Sequence, residues 1–434
     1  MLKILNKTIK IKNPFILFLP FLILYVAIVI IFPANILLGD QSRYITYAQY
    51  ILSGRLPLHN AIIDLLGDGP GYSIILIPLV ALHLPIFFIH LLNTIFFYLS
   101  IVLLYKILIK YTTHKKAFVI SFFWGAYYNF YEYLCMVLSE TFCVFLICIF
   151  ILSLLKVFEK KSIKKYIYFT GFLLGFIALT KPIFGYVLIC LLLGTGLLCI
   201  IKRKVPYYFT LFYITLIALA TTLPYLIYTY NLTNKVFYWS SYGGNNLYWM
   251  STPVKGEFGD WFRDVKTYNL TLPNTGGKNI NGFEDSLRVN HIKDFEQISK
   301  LNELKKDDAF KAIAINNIKL HPTKFILNCF CNAGRLFFNY PYSYTLQKPS
   351  TLLRLPLNGI IFMLLLFCII PTFINWQRID VPIRFLFFFA FLYLGGSVLG
   401  SAETRMLMVI VPVLLIFIGF VIEKTIKIDI KKWT

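Results

Sequence analysis

The run PFILFLPFLILYVAIVIIF at residues 14–32, followed by GDQSRY at residues 39–44, decides the class of this chain. An unbroken apolar run of that kind matches the roughly 17–25 residues that carry a helix across a bilayer. Asp40 then stands just beyond one end of the first span. A carboxylate beside hydrocarbon is costly unless it is hydrated or given a task. It can cap the helix that follows, a contribution of about 1 kcal/mol, or it can do chemistry at the membrane surface.

The rest of the chain repeats the pattern. Of 434 residues, 58% are hydrophobic and only 14% charged, and the mean hydropathy is +0.70. A soluble globule of this size carries more charge, so the expected fold class is an all-α polytopic membrane protein. Further spans are expected at 86–105, 117–131, 141–157, 166–180, 183–201, 207–228, 352–374, 385–400 and 406–422, about ten in all with the first. No small-residue cleavage pattern follows residue 32, so the first span reads as an uncleaved anchor. Three regions result: a transmembrane core at 1–230 with a first outer loop at 33–85, an outer soluble and juxtamembrane region at 231–350, and C-terminal spans at 351–434.

A net charge of +22 would suggest nucleic acid in a soluble protein. Here the bases fall in the turns on one side: Lys106, Lys110, Lys115 and Lys116; Lys156, Lys160, Lys161, Lys164 and Lys165; Lys202, Arg203 and Lys204; Lys424, Lys427, Lys431 and Lys432. The other side carries only Arg43, Arg55, Lys181 and Arg405 in its short segments. By the positive-inside rule the first side and both termini are cytoplasmic, and no nucleic-acid partner is needed. If residues 71–84 crossed, every later cluster would invert. That short segment is therefore expected to be re-entrant or interfacial. The abundance of Ile, Lys and Asn points to a bacterial genome rich in A and T, hence a multi-pass protein of the inner membrane.

The eight cysteines lie mostly in apolar runs and read as packing residues. The histidines form no His-x-x-x-His pair. No cofactor is called for, although two carboxylates could hold a divalent ion. Tyr44, Tyr47, Ala48, Ile51 and Leu52 recur at helical spacing after Asp40, which describes a helix on the membrane surface with Asp40 at or near its N-cap. Asp64 and Asp68 precede a Gly69-Pro70-Gly71-Tyr72 turn. The stretch 238–249, YWSSYGGNNLYW, mixes aromatic rings with Asn as a sugar site would, and as a membrane interface also does.

With this topology Asp40, Asp64, Asp68, Glu140, Lys181, Glu403 and Arg405 all face outward, and no span carries an ionisable residue near its middle. Ion-coupled transporters place such groups at the midplane, so the pattern favours surface chemistry over transport.

At this point the chain resembles integral-membrane glycosyltransferases of the GT-C fold, in the branch of protein O-mannosyltransferases and the lipid A aminoarabinose transferase. Gly39-Asp40-Gln41-Ser42-Arg43-Tyr44 resembles that family's first-loop acidic motif, and Ser139-Glu140-Thr141-Phe142 its second acidic position. Residues 171–181, ending in Thr180-Lys181, resemble its glycine-rich span, and Ala402-Glu403-Thr404-Arg405 its late arginine motif. Gly69-Pro70-Gly71-Tyr72 resembles its His-Pro-Pro turn with the histidine and first proline missing.

The resemblance implies a GT-C-like bundle. It also implies transfer of a sugar from a polyprenyl-phosphate donor in the bilayer to a lipid, glycan or protein acceptor on the outer side. Asp40 is then the general base and Glu140 the second carboxylate. Lys181, Arg405 and Arg43 are expected to bind the donor phosphate. Tyr44, Asp64, Asp68, Tyr72 and Trp249 are expected to contact substrate. A single displacement would invert the anomeric centre. The competing readings are a flippase or exporter of lipid-linked glycans, and a polymerase or ligase using lipid-diphosphate donors.

Overall fold

The computed structural model describes residues 13–34, 37, 39–54, 65–159, 163–262, 283–343, 349–400 and 402–425, and every regular element among them is helical. In chain order these are α1 (Pro14–Ile31), α2 (Asp40–Leu52), α3 (Pro70–Ala81), α4 (Phe87–Leu108), α5 (His114–Gly125), α6 (Glu140–Phe158), α7 (Ile163–Thr180), α8 (Ile183–Ile201) and α9 (Pro206–Thr233). The second half holds α10 (Gly243–Met250), α11 (Phe283–Ser299), α12 (Glu303–Leu320), α13 (Pro322–Phe338), α14 (Pro349–Ile374), α15 (Val381–Leu399) and α16 (Thr404–Lys424). Proline opens α1, α3, α9, α13 and α15, where its fixed φ suits the first turn and its missing N–H has no intrahelical partner to lose.

Eight helices, α1, α4, α6, α8, α9, α14, α15 and α16, are long and apolar enough to cross a membrane. The spans of α16 and α6 are 83% and 72% buried, against 22% for α1 and α14, so the first pair forms the centre of the bundle. The span expected at 166–180 lies on α7, which packs against α6 and α9. The one expected at 117–131 is not a single α-helix. There α5 gives way after Gly125 to a 3₁₀ helix at Tyr128–Cys135. The tighter coil accommodates Asn129, whose Nδ2 donates to Asn358 Oδ1 on α14 at 3.1 Å. The two helices measure roughly 18 Å and 16 Å, and Tyr131 OH donates back to the Gly125 carbonyl at 3.0 Å.

The ends of the bundle are chemically distinct. At one end Lys110 meets Glu159, and Lys116 Nζ lies 2.5 Å from Glu423 Oε2. The starts of α2, α6 and α16 and the end of α7 gather at the other. The apolar helix α3 starts at this second end and does not leave it. Its 12 residues cover roughly 18 Å, short of the bilayer's ~30 Å. By its second turn α4 is level with α3 again, because Asn93 Oδ1 accepts from Tyr72 on α3 at 3.0 Å and from Thr141 on α6 at 2.8 Å. The re-entrant expectation for 71–84 fits this path.

Close approach of α3 to the end of α7 depends on two missing side chains. A Cβ on Gly69 would sit 2.0 Å from the Leu179 carbonyl oxygen, and one on Gly71 would sit 2.5 Å from Thr180 Oγ1. A backbone oxygen cannot rotate away, so Gly69→Ala should lower the thermal unfolding midpoint of the purified protein, by an overpacking cost of about 1–3 kcal/mol. Gly359→Ala is the control, since an added methyl there meets nothing within 4 Å. Equal midpoints for the two variants would refute this account of the turn.

Candidate active site

Asp40 is the first residue of α2, and Gly39, at φ +57°, takes the N-cap position. The carboxylate is therefore not the cap that the spacing allowed. Instead Oδ1 accepts from Arg43 Nη2 at 2.7 Å, one helical turn on, and Oδ2 accepts from Arg405 Nη1 at 2.8 Å, at the start of α16. Arg43 also donates through Nε to Asp68 Oδ2 at 2.6 Å and lies 5.2 Å over the Tyr242 ring. Arg405 Nε reaches Glu403 Oε2 at 2.9 Å.

The two aspartates part company electrostatically. Burial disfavours the charge on Asp40, but the Arg405 and Arg43 guanidiniums outweigh it and hold the carboxyl at about 2. Asp68 is pushed up to about 6, first by burial and then by the negative charge of Asp40, with Arg43 only partly offsetting both.

Beside this chain of charges lies a second pair. Glu140, the first residue of α6 and 2% exposed, accepts from Lys181 Nζ on Oε1 at 2.9 Å. Its Oε2 is buried with no hydrogen-bond partner among the described residues. Such an atom is expensive unless a ligand hydroxyl or water meets it. Tyr44 OH donates to Ser139 Oγ at 2.9 Å, and Gln41 Oε1 accepts from Val137 N at 3.0 Å, so α2 is fastened to the segment that leads into α6.

These groups wall one cavity of about 260 Å³, lined by Asp40, Tyr44, Asp68, Glu140, Lys181 and Arg405 among others. Arg43 braces it from behind through Asp40 and Asp68. Tyr72 is fully buried beneath it against Tyr44 and supports rather than lines it. Asp64 lies outside the described residues. Trp249 is displaced from its expected contact role: it is 1% exposed and packs with Tyr248, Phe262, His291 and Phe295 in a separate core under α10 and α11. An indole in that stretch serves packing as readily as sugar stacking, which is why composition misplaced it.

Sequence reasoning passed over much of the opposite wall. Ser240, Gly243 and Asn246 line the cavity from the segment after α9, with Tyr186 on α8 and Gly396, Ser397 and Gly400 on and just beyond α15. Three of them belong to the aromatic and Asn-rich stretch, which was the available signal. Asn332 on α13 donates to the carbonyls of Val398 at 2.9 Å and Gly400 at 2.6 Å, and so steadies the turn that carries Glu403 and Arg405.

Among the described residues no group of three or more His, Cys, Asp or Glu side chains is placed to hold a metal. Both oxygens of Asp40 and one of Glu140 already face cations. That donor set does not fit a divalent ion, and no step is derived through one.

Comparison with known proteins gives one finding. The sequence model of the dolichyl-phosphate-mannose-protein mannosyltransferase family matches residues 71–228. The match includes Tyr72, Glu140 and Lys181 and leaves out Asp40, Arg43, Asp68 and Arg405. It supports a membrane glycosyltransferase with a polyprenyl-phosphate sugar donor. No curated protein and no solved structure matches significantly.

The Glu140–Lys181 pair sets a test independent of activity. Lys181→Met should strand a buried carboxylate and destabilise the protein by about 3–5 kcal/mol. Adding Glu140→Gln should recover most of that loss, as read by denaturation in a double-mutant cycle. Strictly additive losses would mean that the two side chains do not depend on each other.

Proposed function

We propose that this chain is an inverting glycosyltransferase of the membrane, moving a sugar from a polyprenyl-phosphate carrier to a lipid, glycan or protein hydroxyl on the outer side. The observation that carries the reading is the cavity itself, where three carboxylates and two cations from α2, the segment before α3, α6, α16 and the α7–α8 turn face one space. An outward orientation is supported by the basic turns at the opposite end, which the positive-inside rule keeps in the cytoplasm. A bacterial inner membrane remains the compositional expectation.

The chemistry needs a base for the incoming hydroxyl and a cationic bed for the departing phosphate. In the proposed reaction the acceptor oxygen attacks the anomeric carbon as the bond from that carbon to the phosphate oxygen breaks. The hydroxyl proton passes to Asp40, and the electron pair leaves with the polyprenyl phosphate. Arg405 and Lys181 take up the developing charge. Glu140 Oε2, unmet among the described residues, accepts from a sugar or acceptor hydroxyl.

Asp40 is a poor base while two guanidiniums hold it at about 2. A phosphate that draws Arg405 or Arg43 away frees one carboxylate oxygen and raises its proton affinity. Donor arrival thereby readies the base. Arg43 and Asp68 set how easily that exchange occurs, and Tyr44 shapes the wall between them.

Two outcomes are expected. Asp40→Asn should reduce transfer of radiolabelled sugar from a polyprenyl-phosphate donor by about 10²–10⁴-fold while donor binding persists. Equal transfer rates for the wild type and this variant would remove Asp40 from the reaction. The second concerns pH. As pH falls through about 6, Asp68 takes a proton, and Arg43 loses a counter-charge. A phosphodiester donor, whose own charge is constant, should then bind more tightly, by roughly fivefold between pH 7.5 and 5.5. Asp68→Asn should flatten that dependence; a profile unchanged by the substitution, or one of opposite sign, contradicts the assignment.

A further inference from the structure

A second cavity, of about 460 Å³, lies along the same α8–α15 seam as the candidate active site but at the opposite end of the bundle. On α8 the active-site cavity takes Ile183 and Tyr186, whereas this one takes Cys190, Leu191, Gly194, Thr195 and Leu198. At 1.5 Å per residue the centres of the two sets lie roughly 14 Å apart along the helix, and their nearest members, Tyr186 and Cys190, roughly 6 Å apart. Its walls are hydrocarbon, including Leu191, Leu198, Leu211, Phe385 and Leu392.

One charged group lines it. Arg384, in the first turn of α15, donates Nε to the Ile379 carbonyl at 2.7 Å and Nη2 to the Gln377 carbonyl at 2.9 Å, and lies 5.5 Å over the Trp376 ring. Those partners are neutral, and among the described residues no carboxylate is within ion-pairing distance of it. Asp380, the N-cap residue of α15, makes no side-chain cap bond and is exposed. The guanidinium is thus fixed in place with its charge uncompensated. Immediately beyond, Lys202, Arg203 and Lys204 form the exposed α8–α9 turn. Tyr207, Tyr208 and Trp376 also line the cavity, the kind of amphipathic aromatics that gather at headgroup depth.

An apolar cleft under a fixed cation, beside a basic turn, is the complement of an anionic phospholipid. We propose that this cleft binds an anionic phospholipid of the bilayer, with an acyl chain between α8, α9 and α15 and the phosphate at Arg384 and the Lys202–Lys204 turn. The site is separate from the sugar-transfer reading and requires only that the bundle spans a membrane. A polyprenyl tail descending the seam from the active site is the competing occupant.

The full chain, delipidated in neutral detergent, is titrated with dioleoyl-phosphatidylglycerol or dioleoyl-phosphatidylcholine and read by native mass spectrometry. The wild type should retain the anionic lipid preferentially, and Arg384→Gln should lose roughly fivefold of that preference. Gly194→Leu is the second variant: a Cβ at Gly194 meets nothing within 4 Å, so the larger side chain can enter the cleft without a clash at its base. It should reduce binding while the protein stays folded. Equal retention of both lipids, a preference untouched by both variants, or displacement of the phospholipid by polyprenyl phosphate would each overturn the proposal.

Discussion

The salt bridge between Asp40 and Arg405 joins positions 365 residues apart in the chain, and the cavity depends on it. Each side chain is only partly exposed, at 29% and 26%, so neither charge is fully hydrated. Left alone, each would carry a desolvation penalty in the folded state. Asp40 meets Arg405 only if α2 lies against the start of α16, which puts α2 over the most buried of the eight candidate spans. Arg43 and Glu403 extend the pairing on either side. Asp40, Asp68, Glu140 and Glu403 therefore sit among Arg43, Lys181 and Arg405, and a proton on Asp68 brings the group close to neutrality. A cluster so balanced tolerates apolar surroundings while retaining cations that an arriving anion can recruit.

Rigidity around this cluster comes from polar side chains that each bond to more than one element. Asn93 is the clearest case: Oδ1 accepts from α3 and from α6, while Nδ2 donates to the Met136 carbonyl at 2.8 Å. Because one amide satisfies three elements, none can shift without stranding a polar atom inside the bundle. On the far wall Arg335, fully buried, donates to the carbonyls of Pro341 at 2.7 Å and Phe258 at 2.9 Å. These bonds anchor α13, and α13 in turn holds the α15–α16 turn through Asn332. The site is assembled from the first turns of α2, α6 and α16 and the turns between helices, and each is tied to a densely packed helix.

Much of this was legible in the sequence, and for a physical reason. Topology follows from where charge can be hydrated, so the basic turns sorted the span ends correctly. Asp40, Asp68, Glu140, Lys181 and Arg405 all lie at the end opposite Lys110 and Lys116. Partners were not legible. Nothing local to Glu140 says that Lys181 meets it, because that pairing depends on the approach of α6 to α7 and on glycines that let α3 close in. Aromatics were the weakest guide. Tyr44 lines the cavity, Tyr72 supports it and Trp249 packs elsewhere, although each begins as an aromatic ring near an interface. The span expected at 117–131 is interrupted for a different reason: hydropathy measures apolar content and does not register the change to a 3₁₀ coil at Tyr128, where Asn129 bonds Asn358 on α14.

The two ends of the α8–α15 seam make opposite use of charge. At the active-site end Arg43, Lys181 and Arg405 each face a carboxylate, so positive potential is present but spent within the protein, and a ligand gains access to it only by exchange. At the other end Arg384 has carbonyls and an aromatic ring for company, and its positive potential projects outward with that of the neighbouring lysines. An anion arriving at the first end must displace an acid already in place, which makes binding selective and couples it to protonation. An anion at the second displaces nothing but water, which makes binding strong in proportion to surface charge and indifferent to fine chemistry. The first arrangement suits a reaction centre that must respond to its substrate, and the second suits a permanent hold on the surrounding bilayer.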